Sequence, residues 1–198
     1  MQATARRLSV VSATSCARRR LIRVVRPKTD IMTIDDYIDA LEDKMTGLND
    51  SELEALESAM GCSLPLEYRA LLSRVNGGSA NGDLWFKAPT PSGRTACVGL
   101  AELGGLRDDY MSLVENRQTY QATDNLRIPS DTRWFMGCPF GNAYCIGVGS
   151  NNEGFIYFWQ HEEEFHDDTY DGTTATAQNM ILLAHSLGDF IAGVDYGT

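Results

Sequence analysis

Apolar residues recur at helical spacing through the first third of the folded region. Ile34, Ile38, Leu41 and Met45 lie on one face behind Thr33, Asp35 and Asp36, so the pattern predicts an N-capped helix ending at Gly47. Leu53, Leu56 and Met60 repeat the spacing after the capping run Asn49-Asp50-Ser51, and Gly61 occupies a C′ position. Pro65 suits a first helical turn, where its missing N–H costs nothing. Leu64, Tyr68, Leu71, Leu72 and Val75 form the stripe of this third helix, which the pattern stops at Asn76-Gly77-Gly78.

From Asp83 the period changes. Leu84-Trp85-Phe86 reads as a short aromatic strand, followed by a Pro89/Pro91 loop and a strand at 95–98. A helix is expected over 106–116, with Leu106, Tyr110, Leu113 and Val114 inward behind the breaker Gly104-Gly105. Three strands should follow, at 133–137, 142–148 and 155–160. Pro139-Phe140-Gly141 and Gly149-Ser150-Asn151-Asn152 separate them as turns. Turns this short favour antiparallel neighbours. A last helix over 177–193 would set Met180, Ile181, Ala184, Leu187, Ile191 and Val194 on one side. Helices first, strands in the middle and a helix last describe an α+β domain. Its mainly antiparallel sheet would have five to six strands with helices packed against it.

Charge changes this picture at the N-terminus. The chain has 198 residues, room for one domain with a substantial core. Residues 1–29 hold eight basic side chains and no acid, which leaves nine basic and 27 acidic residues in 30–198, a net charge of −18. Residues 1–31 therefore read as a disordered basic leader outside a domain at 32–198. Three origins fit the leader: a misplaced start with the true one at Met32, a genuine basic arm, or a transit peptide. No apolar run approaches the ~18 residues of a membrane span. A domain this acidic repels nucleic acid and membrane phosphates and attracts basic partners.

Cys16, Cys62, Cys97, Cys138 and Cys145 are scattered, odd in number and without a CxxC pair, so they read as reduced thiols of a cytoplasmic protein. The run His161-Glu162-Glu163-Glu164-Phe165-His166-Asp167-Asp168 has metal-binding residue types. Its histidines lack the i, i+4 helical placement, and a solvated acidic loop is the expected reading. Cys138 and Cys145 are candidates to approach each other across a hairpin, but a nucleophilic thiol wants an electropositive pocket. His185 and Ser186 are adjacent helical positions pointing ~100° apart and cannot pair. No phosphate-cradling glycine motif is present, and no cofactor is implied.

Leu64-Pro65-x-x-Tyr68 leading to Asn76-Gly77-Gly78, then Gly154-x-Ile156-Tyr157-x-Trp159 before an acidic loop, then a terminal segment with Phe190, resemble the SUKH superfamily. That group includes the fungal cell-wall assembly regulators of the Smi/Knr type and many bacterial immunity proteins against polymorphic toxins. The resemblance covers roughly residues 50–194 and rests on the order of the motifs. It implies one α+β domain without a catalytic constellation, in which Leu64, Pro65, Tyr68, Asn76, Gly77, Gly78, Gly154, Tyr157, Trp159 and Phe190 serve mostly as architecture. Gly147-Val148 departs from the many relatives that carry an acid late in that strand.

A protein partner is therefore expected, not a substrate, nucleic acid or membrane. Aromatic anchors with a charged rim make efficient interfaces. The binding candidates are Asp83, Trp85, Glu162, Glu163, Glu164, Asp167 and Asp168. The leading functional expectation is a non-enzymatic immunity protein that binds a toxin domain, such as a basic nuclease. An intracellular regulatory adaptor is the alternative, and a small-ligand or metal-binding protein a third.

Overall fold

A computed structural model describes residues 31–80, 84–89, 95–122, 125–163 and 168–196. The leader expected at 1–31 therefore lies almost wholly outside the described residues. Helix α1 (Ile34–Ala40) opens on a capping box in which the Asp36 N–H donates to Thr33 Oγ1 and the Thr33 N–H donates to the Asp36 carboxylate. The helix stops sooner than its apolar spacing suggests. Leu41 turns into strand β1 (Leu41–Glu42), Asp43 takes a positive φ of 50°, and Met45 is exposed. Gly47 ends no helix. A Cβ there would lie 2.1 Å from the Ser73 carbonyl oxygen, so the glycine permits a close backbone approach.

Helix α2 (Asp50–Met60) matches its expected bounds, with an Asn49/Glu52 capping box and Gly61 left-handed at φ 66°. Helix α3 (Leu66–Leu72) follows Pro65, and the whole stripe from Leu64 to Val75 is buried. Asn76 does more than terminate it. The Asn76 Nδ2 donates to the Leu106 carbonyl at 3.0 Å, and its Oδ1 accepts from the Leu106 N–H at 2.7 Å. This buried amide staples the end of α3 to a loop thirty residues away.

After β2 (Gly78–Ala80) come β3 (Leu84–Pro89), β4 (Thr95–Gly99) and β5 (Glu102–Leu103). The helix expected over 106–116 is displaced. Arg107 and Asp109 form a tight ion pair in a turn, Tyr110 points outward at 67% exposure, and α4 (Leu113–Tyr120) begins only after Ser112. The Ser112 hydroxyl accepts from the Glu115 N–H, so local side-chain capping overrode the apolar spacing. A small ribbon, β6 (Gln121–Ala122) with β7 (Asn125–Leu126), leads to the three expected strands. These are β8 (Thr132–Gly137), β9 (Ala143–Gly147) and β10 (Ile156–Trp159), antiparallel and buried throughout.

The largest correction is at the C-terminus. In place of one helix over 177–193 the chain forms β11 (Met180–Ala184), α5 (Leu187–Ala192) and β12 (Val194–Tyr196). Met180, Ile181, Leu182 and Ala184 pair with β10. Ser186 then sits extended at φ −150° and caps α5 by accepting from the Asp189 N–H. A run of five apolar residues fits either period, and the unpaired side of β10 decides for the strand.

Seven strands result, in the order β1-β2-β5-β8-β9-β10-β11, all antiparallel, with a second sheet β12-β3-β4. The fold is α+β as expected, with a larger sheet. Phe190 of α5 joins the sheets, with ring centroids 4.8 Å from Phe86 of β3, 5.3 Å from Tyr144 of β9 and 6.2 Å from Phe135 of β8.

Candidate functional site

Along β3 the side chains alternate. Leu84 and Phe86 enter the core, while Trp85 stays half-buried and Lys87 is exposed, its ammonium 3.3 Å from Asp195. Trp85 is paired across the sheet with Gly99 and Asp195. Because Gly99 has no side chain, the indole and Pro139 share the space above it. A Cβ on Gly99 would lie 3.2 Å from the Pro139 ring and 3.6 Å from Trp85.

Pro139 begins the β8–β9 turn, whose tip is Phe140 at 75% exposure. Gly141 follows at φ 82°, and a Cβ there would meet the His161 ring at 3.2 Å. His161 is held in place by Asn142, whose Oδ1 accepts from the His161 backbone N–H at 3.0 Å and lies 2.9 Å from ring Nδ1. His161 opens a 3₁₀ turn through Glu163 that leaves Glu162 and Glu163 in solvent.

Two contacts result: Trp85 and Pro139 share the space over Gly99, and His161 lies against Gly141, with the exposed Phe140 between Pro139 and Gly141 in the turn and the exposed Glu162 and Glu163 following His161. The β8–β9 turn thus touches the surroundings of Trp85 at one end and His161, which opens the acidic segment, at the other. Asp168 is exposed, and no described contact joins it to the turn. Asp83, Glu164 and Asp167 lie outside the described residues. Phe140 escaped the sequence reading, which took Pro139-Phe140-Gly141 only as a turn. The usable signal was an aromatic at the tip of a two-strand connection, where no core can receive it.

The remaining chemistry-bearing groups among the described residues sit in the core, in turns or at a helix cap. Trp159 is fully buried, its ring 5.4 Å from Tyr120 with the Arg127 guanidinium 5.3 Å from its centroid. Tyr68 meets Phe135 edge-on, Tyr157 is buried, and Gly154 adopts φ 79° in the β9–β10 turn. Gly77 and Gly78 have φ of 76° and 159° beside the loop that Asn76 holds. Gly147 is required by packing, because a Cβ would come 1.9 Å from the Asn152 carbonyl oxygen. That contact leaves no room here for any side chain.

Cys145 faces Trp134 and Tyr157 across the sheet, and Cys138 lies past the end of β8, so the two thiols are not opposite each other. Burial pushes both thiols above their ordinary range. His185 packs edge-on against Phe155 at 4.7 Å, and Ser186 is spent on its helix cap. Among the described residues no three His, Cys, Asp or Glu side chains gather as a metal site. No helix among them is long and apolar enough to cross a membrane.

An α+β domain with an extended antiparallel sheet and exposed aromatic and acidic residues around one hairpin turn is the class of protein these features define. The model of the SMI1 / KNR4 family (SUKH-1) matches residues 47–193, and the chain belongs to that family. No curated protein matches it. The family accommodates both immunity proteins and Smi1/Knr4-type regulators, and its domains are associated with protein–protein interaction.

Proposed function

We propose that the chain is a non-catalytic immunity protein that binds a basic toxin domain, a nuclease in the first instance, and covers its substrate groove. The observation that supports this reading is the exposure of Phe140, Glu162 and Glu163 together with a half-buried Trp85 beside the same hairpin turn. The half-buried Trp85 and the exposed Phe140 supply rigid contact area, and the carboxylates match the cationic groove a nuclease uses to hold phosphates. Glu164, Asp167 and Asp168 extend the same acidic loop in sequence and are assigned to the same contact, as is Asp83, two positions before Trp85 in sequence. The net charge of −18 over residues 30–198 steers a basic partner toward the domain from beyond contact distance. The family's membership in immunity systems supports the reading.

The reading predicts a toxin gene beside this one, and the test is co-expression with that toxin. The chain should restore growth, and its association rate should fall steeply with added salt. Reversing Glu162, Glu163, Glu164, Asp167 and Asp168 to Lys should abolish rescue while the thermal melt stays in place. Rescue that survives the reversal would defeat the acidic contact. A regulatory adaptor of the Smi/Knr type is the second reading, favoured by the same family membership. It would show several endogenous partners and no neighbouring toxin.

A further inference from the structure

The two edges of the seven-stranded sheet are built differently. β1 is two residues long, contains Glu42, and runs on into Asp43 and Lys44. Shortness and charge are the usual protections of an exposed edge. β11 has neither. Its five residues, Met180-Ile181-Leu182-Leu183-Ala184, carry no charge and no proline, and Leu182 is 40% exposed. The inner side of β11 pairs with β10. Among the described residues no backbone hydrogen bond reaches its outer side.

The lack of charge extends past the strand. Thr173 to Gly188 is a run of sixteen residues without Asp, Glu, Lys or Arg. Elsewhere the domain is dense in carboxylates, so two copies repel each other across most of their surfaces. At this edge close approach sets no charged side chains of β11 against each other. A basic partner, conversely, finds no carboxylate on the strand to bind.

We infer that β11 docks against β11 of a second copy of this chain, antiparallel about a two-fold axis near Leu182. The two seven-stranded sheets then become one continuous sheet. Such a contact is isologous: the outward N–H and C=O groups of each strand satisfy those of the other, and Leu182 covers its counterpart. A five-residue edge falls short of the ~1,200–2,000 Å² of a standard stable interface, so the dimer is weak and forms with concentration. It is independent of the toxin contact proposed above, and salt separates the two. Salt screens repulsion between two acidic domains and tightens the dimer, whereas it loosens an acidic-to-basic contact.

Sedimentation velocity of the full chain from about 1 µM to about 1 mM spans the range in which such weak contacts form. The weight-average mass should rise from 21.9 kDa toward twice that value, and more so at higher salt. Leu182→Lys sets two like charges together at the axis and should hold the chain monomeric while toxin neutralisation is kept. Amide exchange on the unaltered protein needs no variant. Protection within residues 180–184 should grow with protein concentration. A mass that stays monomeric across the range overturns the inference. So does a dimer that survives Leu182→Lys, or one that dissociates as salt is added.

Discussion

Phe190 is the residue whose loss should be felt most widely. Its ring is fully buried on α5, stacked on Phe86 of the small sheet at 27°, tilted against Tyr144 of the large one and edge-on to Phe135. Truncating a buried Phe to Ala costs about 3–5 kcal/mol, with the spread set by how far the site collapses. Rigid strands surround this site on both sides, so little collapse is available and the cost belongs in the upper half of that range. Against a total of roughly 5–15 kcal/mol, much of the stability would go. With a urea m-value of about 2 kcal/mol/M, the unfolding midpoint of Phe190→Ala should fall by about 2 M. A double-mutant cycle of Phe86→Leu with Phe190→Leu should return about 0.5–1.5 kcal/mol of coupling, the value of an aromatic pair beyond its buried area. A cost near 1 kcal/mol, or a cycle with no coupling, would refute the claim that this ring joins the sheets.

Ser186→Ala should destabilise by about 1 kcal/mol in urea titration through loss of the α5 cap. In an uninterrupted helix the same change would stabilise, because Ala is the better helix former, so the sign tests the strand-to-helix junction at His185-Ser186. Gly147→Ala should cost about 1–3 kcal/mol, because its Cβ meets the backbone of Asn152, which cannot swing aside as a side chain does. Hydrogen bonding from Arg107 holds the Asp109 carboxyl below its ordinary value. Its folded pKa is the lower one, so the pair stabilises the fold above the usual carboxylate range and that contribution is lost as pH falls through and below it. Stability measured from acid to neutral pH should therefore show a shallower acid-side loss in Asp109→Asn.

Where short-range chemistry suffices, the sequence alone determined the outcome. Asn49, Glu52 and Gly61 bound α2 because capping is settled within one turn of chain. The turns at 139–141 and 149–152 set the β8–β9–β10 meander for the same reason, and the motif order from Leu64 to Phe190 marked the family. What tertiary structure alone decided depended on partners distant in sequence. Met180–Ala184 carries spacing that a helix accepts, and only the open side of β10 made it a strand. Trp85 lies 77 positions from Glu162, and neither residue encodes the other. The Pro139–Gly141 turn lies between their neighbourhoods, because Gly99 leaves space for Pro139 beside Trp85 and Gly141 leaves space for the His161 ring.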